Sequence, residues 1–287
     1  MDPDLEFQKE FSPSDTPLIV ADAHVHIYDC YDLRDFFDRA LKNLKKAFRK
    51  GAIRNGFTGL LFLTDTGNPS WFERLSVMAG GKKDFGTAGM GNWELHPTRE
   101  NESLFVCQKN GEGFFIIAGR QIRTVENLEL LALATRETFQ EGLSIEELIL
   151  TVSRKGGIPV IPWAFGKWWG QRGKTIRALL KKEGLPSLFI GDNRNRLRSW
   201  PRPPLFREAE KQGIPTLPGS DPLPYPDEVS YPGSFGFMIR GSVTSDFPAR
   251  DIKRILGDLK TSPTPYGSSD RPIHFFLNQL RMRLAAS

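Results

Sequence analysis

Cysteine is nearly missing from this chain: there are two, Cys30 and Cys107, in 287 residues. They form no CxxC pair and no framework. That excludes a disulfide-stapled scaffold and makes a reducing, cytoplasmic setting the default expectation. No apolar run approaches the about 20 residues a bilayer-spanning helix needs, so no membrane partner is expected. The opening MDPDLEFQKEF is acidic and polar, unlike a secretory leader. Charge of one sign is also in short supply. The net +5 over this length tolerates anionic ligands but gives no reason to expect nucleic acid as a partner. The chain has no internal repeat. The glycine-rich phosphate turn that would follow the first strand of a dinucleotide-binding sheet is missing too. None of this fixes an oligomeric state.

Histidine is equally scarce, with four residues, yet two stand together in LIVADAHVHIYDC, from Leu18 to Cys30. On a strand, residues i and i+2 share a face, so His24 and His26 would project together. That suits two imidazole ligands on one ion. The plainer alternative is a pair of hydrogen-bonding rings at a strand end. His96 and His274 are isolated in sequence, one in a hairpin and one on a helix surface or interface.

Beyond this strand the pattern alternates. DLRDFFDRALKNLKKAFRKG has helical apolar spacing, with Asp32 as N-cap and Gly51 as stop. GFTGLLFLTD reads as a buried strand ending at Asp65. NWELHP and SLFVCQ suggest a hairpin excursion between about residues 80 and 113. SIEELILTVSRKGG carries a capping box at Ser144 and Glu147. Strand–helix alternation argues for a parallel sheet. Polar residues recur at expected strand ends: His26, Asp65, Gln121, Asp192 and Asp221, with Trp163 beside them. Short apolar strands with such ends favour closure into a barrel whose rim gathers them; an open doubly wound sheet is the alternative.

These segments resemble the PHP (polymerase and histidinol phosphatase) family of metal-dependent phosphoesterases, over roughly Leu18 to Leu223. ADAHVHIYDC is similar to the family's opening HxH strand, LFLTDTGN to its TDH strand end, FFIIAGRQI to PGxEI, IPVIPWAF to a strand ending in HP, and IPTLPGSDPL to the closing GSDAH. The resemblance implies a distorted seven-stranded β/α barrel of TIM-like form over 18–248. It would be preceded by an extension at 1–17 and followed by C-terminal helices, 249–287, packed on it. It implies His24, His26 and Asp221 as metal ligands, with Gln121 where a bridging glutamate is usual. Thr66, Trp163 and Leu223 stand where the family has histidines, and Glu129 where another is expected. A carbonyl oxygen at Gln121 ligates but supplies no charge to hold two cations together. The remaining set fits a single divalent ion, zinc, manganese or iron, with Asp65, Asp192 or Glu129 as proton acceptor.

Two segments after expected strand ends are rich in cations. WAFGKWWGQRGK offers Lys167, Trp168 and Arg172, and GDNRNRLRSW offers Arg194 and Arg196. Guanidinium forks and aromatic faces suit a small anionic substrate, although each is also an ordinary solvated or packed loop residue. The combined expectation is metal-assisted hydrolysis of a phosphate ester or similar anion. The alternative is an inactive chain of the same fold acting as an anion-binding or regulatory module.

Overall fold

The computed structural model describes residues 16–50, 56–67, 69–81, 90–270 and 272–285. Most of the expected N-terminal extension, the Gly51 helix stop and part of the excursion at 82–89 lie outside these residues. β1 (Leu18–Val25) is buried throughout. α1 (Leu33–Lys50) starts where the Asp35 N–H donates to Asp32 Oδ1 at 2.9 Å. β2 (Phe57–Leu63) leads to α2 (Trp71–Ala79), whose first turn is closed by a Ser70–Glu73 capping box. β3 (Trp93–Pro97), β4 (Ser103–Gln108), β5 (Gly113–Ile117), β6 (Gly119–Arg123) and β7 (Glu129–Leu133) follow without an intervening helix. Then come α3 (Ile145–Arg154), β8 (Ile158–Pro162), α4 (Gly170–Leu180), β9 (Phe189–Asn193), α5 (Pro204–Lys211) and β10 (Thr216–Gly219). A 3₁₀ turn at Pro226–Ser230, β11 (Gly236–Arg240), α6 (Pro248–Gly257), β12 (Thr264–Tyr266) and α7 (Pro272–Ala285) complete the described chain. No described helix is long and apolar enough to cross a membrane.

The barrel expectation is corrected. The strands form two mixed sheets, β12-β11-β1-β2-β5-β4-β3 and β10-β9-β8-β7-β6, and neither closes into a barrel. Antiparallel pairs interrupt the parallel order: β1 with β11, β4 with β5, and β7 with both β6 and β8. The physical cause sits inside GFFIIAGRQIRT, which reads as one strand but divides at Ala118. β5 stays in the larger sheet and β6 begins the smaller. The proline-bearing stretch KTSPTPYGSSDRP contains β12, which pairs with β11.

Apolar residues fill three layers. Ile19, Ala21, Phe62, Ile117, Leu133, Val160 and Leu217 pack between the sheets. α1 and α2 cover the outer face of the larger sheet through Phe36, Phe37 and Leu75. α3, α4 and α5 cover the smaller one through Leu148, Ile176 and Phe206. Period-two alternation on β1 sends Ile19 and Ala21 inward and Leu18 and Val20 outward.

Two glycines let the sheets approach each other. A Cβ on Gly119 would stand 2.5 Å from the Leu63 carbonyl oxygen, and one on Gly219 2.3 Å from the His24 nitrogen. The first contact is beside the Asp65–Arg120 bridge. The second arises because β11 pairs only with the first half of β1, Leu18 to Ala21. The His24 carbonyl is then free to accept the Asp221 N–H at 2.7 Å.

α7 is fastened by charge. His274 lies 3.0 Å from Asp270 through Nδ1 and 3.0 Å from Glu228 through Nε2. Hydrogen bonds to Asp270 and Glu228 hold it up at about 9, above the ordinary 6.5. A raised folded value means that the contribution is complete below the unfolded value and fades as pH climbs through the folded one. Thermal stability should therefore lose this contribution between pH 6.5 and about 9. His274→Gln should lack that part of the slope, which melting curves of the two proteins across this range measure.

Candidate metal centre

β1 carries one extra residue against β2. Asp22 is opposite Leu61 and Val25 opposite Leu63, so three residues oppose two. Such a bulge bends the strand and re-aims its end, and His24 and His26 occupy that end. Their Nε2 atoms are 3.0 Å apart. Gln121 Oε1, from β6 of the other sheet, lies 3.1 Å from His24 Nε2. Asp221 Oδ1, just beyond β10, lies 3.4 Å from His24 Nε2 and 3.6 Å from His26 Nε2. Thr64 Oγ1 approaches His26 Nε2 at 3.5 Å.

Ligand atoms about 2.1 Å from a metal are separated by roughly 3.0 Å in octahedral and 3.4 Å in tetrahedral arrangement. Three of the observed separations, 3.0, 3.1 and 3.4 Å, fall in that range, and His26–Asp221 at 3.6 Å lies just beyond it. His24, His26 and Asp221 are the one group of three such side chains found convergent among the described residues. The chemistry of the donors agrees as well. Burial lowers His24 to about 4 and His26 to about 3, so both rings are neutral and keep lone pairs at neutral pH. Burial raises the Asp221 carboxyl, against the pull of His26 and an Asn195 hydrogen bond. A carboxylate driven toward protonation beside two neutral imidazoles is a site short of positive charge, which a cation supplies.

The surroundings fix this set. Asn193 Nδ2 donates to Asp221 Oδ2 at 2.7 Å, and Asn195 Nδ2 to the same oxygen at 3.1 Å, leaving Oδ1 toward the histidines. Asp221 itself holds a positive φ of 47°, an uncommon backbone state for an aspartate outside a turn. Beneath them, Asp22 Oδ1 accepts the N–H groups of His24 at 3.2 Å and Ser220 at 2.8 Å, and Oδ2 accepts that of Gly233 at 2.8 Å. Full burial pushes Asp22 up to about 7 despite these bonds. One carboxylate thus ties the strand ends that carry His24 and Asp221.

The sequence-derived candidates divide. His24, His26, Gln121 and Asp221 are brought together. Asp65 and Asp192, expected as proton acceptors, have no atom in the convergent group. Asp65 Oδ2 accepts the Phe72 N–H at 2.9 Å, holding the start of α2, where the helix dipole favours a negative charge. Asp192 accepts from Arg196 Nη2 at 3.1 Å. Burial raises both carboxyls, with Phe72 N–H opposing it at Asp65 and Arg196 at Asp192.

The expected substrate-binding residues are corrected in part. Trp168 is core, buried against Phe206 with its Nε1–H donated to the Pro162 carbonyl at 3.0 Å. Trp169 is the exposed one of that run. Lys167 pairs with Glu129, and Arg172 donates to the Gly166 carbonyl at 3.0 Å. Arg194 is buried between Glu228 and Asp270, and Arg196 is taken by Asp192.

Asn193, Asn195 and Thr64 escaped the sequence reading. The available signal was the alternation in DNRNR. Asn193 and Asn195 reach Asp221, while the intervening Arg194 reaches the opposite way, to Glu228 and Asp270.

No family model and no curated protein matches the chain. Among solved structures it is similar to PsfC from Pseudomonas syringae, at 13% identity over 94% of this chain and 100% of that one, with a TM-score of 0.49. It is also similar to an Endonuclease Q complex with a 27-mer duplex substrate bearing an abasic lesion. There the identity is 12% over 83% of this chain and 56% of that one, with a TM-score of 0.45. The expectation that nucleic acid is an unlikely partner is withdrawn. That expectation rested on net charge, a sum over the whole surface that does not describe any one face.

Proposed function

We propose that the chain is a metal-dependent hydrolase of phosphate esters, using one divalent ion held by His24, His26 and Asp221 with the Gln121 carbonyl oxygen beside them. The supporting observation is the approach of these donors to 3.0–3.6 Å from three separate segments of the chain. The resemblance of the HxH and GSD segments to the PHP family agrees with it. A bound ion would supply Lewis-acid activation of water or of a phosphoryl oxygen. The chain's own part is to present two neutral imidazoles and to keep Asp221 oriented through Asn193 and Asn195. In this reading the proton acceptor is Glu129, whose charge acts on the His24 ring and which pairs with Lys167.

A second reading, metal binding without hydrolysis, is favoured by the commitment of Asp65 to α2 and of Asp192 to Arg196. Hydrolysis of p-nitrophenyl phosphate and bis(p-nitrophenyl) phosphate, with and without added manganese or zinc, separates the two. The hydrolase reading expects metal-dependent turnover that falls at least about 100-fold in Glu129→Gln while metal binding persists, as for loss of a general base. Metal bound by the wild type without turnover of either ester would favour the second reading.

A further inference from the structure

We propose that a second site, separate from the metal group, binds a phosphorylated small molecule in the cleft between α1, the segment after β9 and the β12–α7 connection. The cleft has a volume of about 490 Å³, within the roughly 300–1,000 Å³ of small-ligand sites. Lys46 of α1, Arg194 and Arg198 after β9, and Ser268 and Ser269 before α7 line it. None of His24, His26, Gln121 and Asp221 does.

The charges of its wall do not cancel. Asp270 is the sole acid lining it, and it is already engaged by Arg194 and His274. Glu228, behind the wall, completes the neutralisation of those two cations. Lys46 and Arg198 remain, exposed and with no ion pair among the described residues. Lysine and arginine are donors only, and the wall adds the hydroxyls of Ser234, Ser268 and Ser269. Such a surface asks for a ligand with several acceptor oxygens and negative charge.

Two buried groups point the same way. Arg194 gives Nη1 to Asp270 and Nη2 to Glu228, but its Nε–H has no hydrogen-bond partner among the described residues. Ser234 Oγ is buried and likewise without one. A buried charged donor left unmet is costly, and both residues line the cleft. The wall is also preformed. Asp270 N–H donates to the carbonyls of Arg194 and Arg196 at 3.0 Å each, and Arg198 N–H donates to the Asp270 carbonyl at 3.0 Å. A site fixed before binding loses less entropy when it is filled.

The test is calorimetric titration of the full chain, stripped of metal with a chelator, using inorganic phosphate and glucose 6-phosphate against chloride at matched ionic strength. Saturable binding of either phosphate is expected in the wild type and unchanged in His24→Ala. Lys46→Ala and Arg198→Ala, both surface changes, should each weaken it by about tenfold, the loss of one hydrogen bond to a charged partner. Three results would each overturn the proposal: no saturable heat beyond chloride, equal binding in the Lys46→Ala/Arg198→Ala double variant, or loss of binding in His24→Ala.

Discussion

Arg194→Met should destabilise the protein by about 3–5 kcal/mol, the cost typical of leaving buried charges without their partner. Arg194 is 2% exposed, Glu228 is 0% and Asp270 is 5%. The guanidinium spans the two carboxylates and lies 3.6 Å above the Tyr231 ring. Methionine would fill much of the volume but leave His274 as the one cation paired with both acids among the described residues. His274, on α7, supplies positive charge to each of them only while it is protonated. Glu228 shows how strongly the network acts. Burial raises its carboxyl, yet His274, Arg194 and Asn278 outweigh burial and bring it below its ordinary value. Urea unfolding measures the effect. Arg194→Lys should retain part of the stability, because one ammonium replaces the charge but not the fork. A loss below about 1 kcal/mol for Arg194→Met, in the range of an exposed pair, would contradict this account of the network.

The same arginine shows where the sequence stops being informative. Read in GDNRNRLRSW, it is an exposed cation after a strand, and nothing local says otherwise. Its partners are 34 and 76 residues away, and only the folded arrangement puts them beneath it. The histidines were legible because strand periodicity is local: His24 and His26 share a face whatever the rest of the chain does. Asp221 and Gln121 were legible only through the resemblance of GSD and GRQI to known segments. The asparagines holding Asp221 had no such signal, since their role depends on β9 and β10 being neighbours. For the fold, helices with capping boxes and buried strands could be read directly, as at Ser144 and Glu147. The division into two sheets could not. The break at Ala118 falls within GFFIIAGRQIRT, which reads as one strand, and the close backbone approach at Gly119 beside it is not displayed by the sequence.

The second large effect is expected at the metal group. His26→Ala and Asp221→Asn each remove one donor or the only charge from a set of few ligands. The buried His26 ring has His24, Asp221 and Thr64 as its polar neighbours and Tyr28 at 5.6 Å. Losing it should lower affinity for zinc or manganese by more than the roughly 10–100-fold that loss of an outer partner costs. Asn193→Ala and Asn195→Ala, which free Asp221 Oδ2 without removing a ligand, should fall within that 10–100-fold range. A graded order, ligands above asparagines and both above Lys167→Ala, is the signature of a site built as described. Equal losses in all five variants would indicate general destabilisation.

The most direct measurement is the metal content of the purified chain after saturation with zinc or manganese and removal of free ion, by elemental analysis. One equivalent per chain is predicted for the wild type and close to none for His26→Ala. No retained metal in the wild type, or a full equivalent still held by His26→Ala, would contradict the assignment of His24, His26 and Asp221 as a metal centre.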